Sequence, residues 1–193
     1  MSLASILRRV ALILTLLFRG GGLLFGLGYA WADLAPWQAL LVTAAVVVPL
    51  GLLVVLGVRS ASMAVKVLWV GVVAFALWGL VTLFVDIDLP TIPFIALILA
   101  VPIAVVGLRF ATRAGELMLG VVAVPLVLVL IRLFTERGPE GPRFGDLLGG
   151  STGVVVVPLV LLAALFLAAG AAGRGQPEAA SPRVPPSTPV ARR

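Results

Sequence analysis

The sequence predicts an all-α, polytopic membrane protein: a bundle of six transmembrane helices arranged as three hairpins, with both termini in the cytoplasm. Three observations predict it. Hydrophobic residues fill 62% of the 193 positions, charged residues only 11%, and mean hydropathy is +1.23. A soluble domain holds apolar residues near half and charge near a quarter, and a soluble fold of this composition would expose too much apolar surface. Apolar runs recur that are long enough to cross a hydrocarbon core of about 30 Å at about 1.5 Å per residue. Basic residues, finally, gather in alternate connections.

The expected spans cover residues 12–34, 36–58, 65–85, 89–108, 115–134 and 153–173 of a membrane domain over 1–173. The first is interrupted by Arg19 and by Gly20-Gly21-Gly22. An arginine at the bilayer centre costs about 2.5–3.5 kcal/mol on insertion scales. Sliding this span outward, to residues 15–34, places Arg19 one turn from the inner surface, where it can snorkel. The segment before it, with Arg8 and Arg9, then lies along the interface. A rival reading is a signal peptide, with Arg8-Arg9, an apolar core over 10–18 and an A-x-A step at Ala30-Trp31-Ala32. Arg19 and the glycines separate that core from the cleavage site, which favours a retained span.

The second, third and fourth spans are uninterrupted, Lys66 standing at the start of the third. In the fifth, the uncharged centre from Leu117 to Ile131 is short, so Glu116 and Arg132 reach for the two interfaces. Glu116 follows Arg113 by three residues, a spacing that allows an ion pair on a helix. The connections at 33–36, 86–89 and 109–114 are short, as helical hairpins require. Residues 135–152 form a longer Gly/Pro-rich loop. The Pro- and Arg-rich tail, residues 174–193, is expected to be disordered.

Six spans put Arg8, Arg9, Arg59, Lys66, Arg109, Arg113, Arg174, Arg183, Arg192 and Arg193 on one side. The other side receives Arg137, Arg143 and the edge residue Arg132, with six acids. Positive-inside bias then sets both termini in the cytoplasm of an inner (plasma) membrane. The net charge of +6 is spread between apolar runs, so it orients the chain and does not indicate nucleic acid. Thirteen of the fourteen basic residues are arginine, which suggests a GC-rich bacterial genome.

Cysteine and histidine are both absent. Thiolate chemistry, disulfides and the commonest general base and metal ligand go with them. The outer-loop acids Glu136, Glu140 and Asp146 alternate with arginines and match no calcium-loop spacing. No catalytic residue, cofactor or metal site is expected, and the chain reads as a non-enzyme.

What remains is packing and geometry. Gly22 and Gly26 form a GxxxG step, and Ala164, Ala168 and Ala172 a small-residue stripe, both of which let helices approach closely. Pro49, Pro102, Pro125 and Pro158 fall inside spans and kink them. Arg19, Lys66, Glu116 and Arg132 are the intramembrane or interfacial charges, the default functional candidates in a membrane protein. A threefold hairpin repeat can be traced through Asp33, Asp88 and Asp146 and the Val-Pro-aliphatic steps at 48–50, 101–103 and 157–159. Val124-Pro125-Leu126 breaks its phase, and topology rules alone would supply the shared residues.

Two functions are compatible with these features. One is an accessory or scaffolding subunit packed against other membrane proteins or against copies of itself within the lipid bilayer. The other is a small channel or carrier for an uncharged or apolar solute, lined by kinked helices. The lack of a carboxylate deep in any span counts against ion-coupled transport.

Overall fold

The computed structural model describes residues 3–85, 91–135 and 151–174, and all regular structure among them is helical. Arg174, the first residue of the expected tail, closes the last helix, and residues 175–193 lie outside the described residues, as do Asp88 and the 136–150 loop.

The chain starts as one continuous helical path: α1 (Leu3–Thr15), a five-residue π segment (Leu16–Gly20) and α2 (Gly21–Asp33). Thr15 and Gly21, on either side of the π turn, keep right-handed helical dihedrals. The path exceeds the expected 12–34 span by nine residues at its start. α1 does not lie apart at an interface: Ala4, Ala11 and Thr15 are buried, and α1 packs along the last helix and along α5. Their spacing of seven and four residues places three small side chains on one face, which permits that close approach.

Four further helices follow the hydropathy closely. These are α3 (Pro36–Arg59), α4 (Ala61–Val81), α5 (Thr91–Gly107) and α6 (Ala111–Thr135). The last is α7 (Ser151–Arg174). Four helices are long and apolar enough to cross a membrane: α3, α4, α6 and α7. The described part of α5 has 17 residues, about 26 Å of helix.

Turns between helices are short and locally satisfied. Pro36 opens α3 at a position where a missing N–H costs nothing, and Gln38 Oε1 accepts from the Ala35 N–H at 3.4 Å. The Trp31 indole N–H donates to Thr43 Oγ1 at 3.0 Å, tying α2 to α3. Ser60 alone separates α3 from α4, so α4 begins four residues before the expected span. It also ends four residues early. The Thr82 hydroxyl donates to the Gly79 carbonyl at 2.7 Å, and Leu83 and Phe84 make i−3 bonds that tighten the end.

α5 is the central helix and packs against every other one. Ala96, Leu99, Ala100, Ile103, Ala104 and Val106 are all buried along it. α6 and α7 form the most extensive pair, and both cover α5. At their seam three glycines admit larger neighbours. A Cβ on Gly107 would overlap the Phe166 ring, one on Gly115 would come within 2.6 Å of Leu167 Cγ, and one on Gly170 would overlap the Thr112 hydroxyl. α3 is peripheral: 11% of its apolar stretch is buried, against 44% for α7.

This inequality bears on the threefold repeat. Pro49 is exposed on α3, Pro102 is buried in α5 and Pro158 is half-buried in α7. The three proline-bearing helices of the repeat thus lie in different environments.

Candidate functional site

Arg19 is the most unusual side chain among those described. It is 2% exposed and sits in the π segment, where the extra residue per turn re-aims side chains and frequently marks a functional position. Its Nη2 donates to the Val155 carbonyl of α7 at 2.7 Å, while its Nε is buried with no hydrogen-bond partner. The sequence-based expectation that Arg19 snorkels to a surface therefore does not hold. It points into the bundle and finds a backbone acceptor on another helix.

Pro158 stands three residues after that acceptor in the same helix. Proline has no N–H to give the carbonyl four residues back, Val154, and its ring forces that turn open. Val155, the next carbonyl, is the one Arg19 reaches. Thr15, one turn before Arg19, is also fully buried and donates to Ala11 O at 2.7 Å.

The energetics do not favour Arg19 as a structural device. Placing arginine inside the bilayer costs about 2.5–3.5 kcal/mol. One hydrogen bond from a charged group returns about 1.5–3 kcal/mol, and the idle Nε returns nothing. For a position inside the bilayer the balance is near zero or unfavourable, so this one hydrogen bond does not make Arg19 a source of stability.

The remaining candidates are dispersed. Lys66 and Arg132 are exposed. Glu116 is half-buried and pairs with Arg113 at 3.2 Å. Gly22 lies against α5, a Cβ there meeting Leu97 Cδ1 at 3.4 Å, and Gly26 lies within α2. Pro102 and Pro125 are packed inside the apolar core. The four prolines thus do not converge on one cavity.

The alanine stripe on α7 is not the face that packs within the chain. Ala164 and Ala168 are exposed and Ala172 is half-buried. The face of α7 that enters the bundle is formed instead by Ala163, Phe166, Ala169 and Gly170. A second feature of the surface is an apolar cleft of about 290 Å³ between α4 and α6, lined by Val72, Ala76, Leu80, Gly120, Val127 and Leu128.

Among the described residues no group of three or more acids could hold a metal ion. No protein family, curated protein or solved structure matches the chain. The fold and its side chains define the class, an α-helical membrane protein, and they are the whole basis for a functional reading.

Proposed function

We propose that the chain is a non-catalytic, six-span subunit of the inner membrane, N- and C-terminus inside, that packs against another membrane protein or a second copy of itself. The continuous helical path from residue 3 to 33 serves as the first span, about 46 Å long and so longer than the hydrocarbon core. The described part of α5 belongs to the fourth.

One observation carries the subunit reading. Ala164 and Ala168 lie one turn apart on the outward face of α7, beside the exposed Leu161 and Val157. The inward face of the same helix is already filled. Lipid chains gain nothing from small side chains, whereas a second helix does, because it can approach to van der Waals contact of the backbones. The interlocked seam of α5, α6 and α7 supports a rigid body that presents this face.

The test is mild-detergent purification of the wild-type chain and of an A164L/A168L variant, followed by mass measurement of the intact assembly. The expected result is a stoichiometric partner or a homo-oligomer that the variant loses while remaining monodisperse. A wild-type monomer with no partner would refute the subunit reading.

A second reading, a small carrier, is favoured by Arg19 alone. A buried guanidinium with an unused N–H would serve an anionic or strongly accepting solute, and not the uncharged solute that the kinked helices suggest.

A further inference from the structure

A basic cluster lies away from Arg19, where α1, α6 and α7 meet. A cavity of about 300 Å³ opens there, lined by Arg8, Arg109, Arg113, Thr112, Gly170 and Gly173 among others. The three arginines come from different places: α1, the turn from Leu108 to Phe110, and the first turn of α6. They stand at the end of α6 where cations are least favoured. The first N–H groups of a helix have no carbonyl behind them, and the helix dipole places partial positive charge beside them. Glu116 pairs with Arg113 at 3.2 Å. Arg8 and Arg109 have no acidic partner among the described residues.

Arg8 is held, not loose. Its Nη1 reaches the Leu108 carbonyl at 3.4 Å, and its Nε is buried with no hydrogen-bond partner. Two glycines of α7 shape the space. A Cβ on Gly173 would press on Arg8 Nη2 at 3.2 Å, and one on Gly170 would occupy the place of the Thr112 hydroxyl. The cavity therefore gathers guanidinium, hydroxyl and free amide donors and excludes bulk from α7.

We infer that this cavity binds a phosphate group. Arginine forks match phosphate oxygens, often in bidentate fashion, and helix N-termini are ready-made anion sites. The phosphodiester of an anionic phospholipid and free inorganic phosphate share this chemistry. The position at the rim of an apolar bundle suits the lipid headgroup, in the manner of basic pockets between membrane helices. The inference requires the membrane character of the chain, and neither the subunit reading nor the role of Arg19.

The experiment is native mass spectrometry of the full chain in detergent, with phosphatidylglycerol or phosphatidylcholine added, alongside thermal unfolding with inorganic phosphate. Phosphatidylglycerol adducts should exceed phosphatidylcholine adducts, and R8Q and R109Q should each cut that preference about fivefold. R59Q and R132Q, which alter exposed arginines elsewhere, should leave it intact. Adducts that survive excess inorganic phosphate identify the lipid as the source. Stabilisation by inorganic phosphate without lipid preference, lost in R109Q, identifies the free ion. Either supports the site. Equal binding of both lipids with no stabilisation by phosphate would overturn it, as would a preference unchanged in R109Q. Because R8Q removes a contact between α1 and the turn after α5, R109Q decides the matter if R8Q does not fold.

Discussion

Gly107 ends α5 beneath the ring of Phe166, and alanine at this position has no room for its methyl group. The added carbon would fall 2.8 Å from Phe166 Cδ1 and Cζ, and closer still to Cε1. Ordinary contact needs about another ångström. The ring cannot simply swing aside, because Phe166 is fully buried in the core that also contains Ile103, Leu162 and Ala163. Overpacking of this kind costs about 1–3 kcal/mol. At about 2–4 °C per kcal/mol for a chain of this length, G107A should unfold about 2–12 °C lower. Thermal unfolding in detergent, followed by tryptophan fluorescence, reads the shift. G51A supplies the reference, since nothing lies within 4 Å of its new carbon, and it should be neutral or stabilising by up to about 1 kcal/mol. F166L should relieve the clash, so that G107A costs less in that background, with a coupling of about 0.5–3 kcal/mol. A G107A protein as stable as G51A, with no coupling to F166L, would refute the packing deduced for the α5–α7 seam.

Other perturbations separate structural from functional roles. R19M removes a buried charge while filling similar volume, so its unfolding midpoint should equal or exceed that of wild type. R19E sets a carboxylate against the Val155 carbonyl and should fail to give a monodisperse protein in size-exclusion chromatography. W31F deletes the hydrogen bond to Thr43 and should cost about 0.5–1.5 kcal/mol. In a T43V background the same change should cost much less, which a double-mutant cycle in thermal unfolding would measure.

Helix positions were largely legible from hydropathy and from the prolines and short turns that punctuate it. The limits of α4 were not, because Ser60 and Thr82 set them through local hydrogen bonds that hydropathy ignores. Arg19 was recognisable as anomalous, yet its surroundings were not. Its acceptor is a carbonyl 136 residues away, in the turn before Pro158 on another helix. The rule that arginines seek the surface gave the wrong direction for it. The small-residue contacts show the same limit. GxxxG and alanine stripes describe one helix at a time, whereas Gly107, Gly115 and Gly170 meet their partners across three helices. Ala164 and Ala168 have the spacing of a packing face but turn outward, and only the placement of α7 against α5 and α6 decides which face is inside. The basic cavity was hidden for a related reason: Arg8 and Arg109 are far apart in the chain and adjacent only once α1 packs along α7.

The most direct test of the six-span arrangement uses the absence of native cysteine. Single-cysteine variants S2C, Q38C and S62C, expressed in intact cells, are exposed to a membrane-impermeant maleimide before and after permeabilisation. Labelling of Q38C in intact cells, with S2C and S62C reacting only after permeabilisation, is the predicted result. It requires the helical path from 3 to 33 to cross the bilayer as the first span. S2C and Q38C reacting from the same side would contradict that crossing, and with it the orientation of every helix that follows.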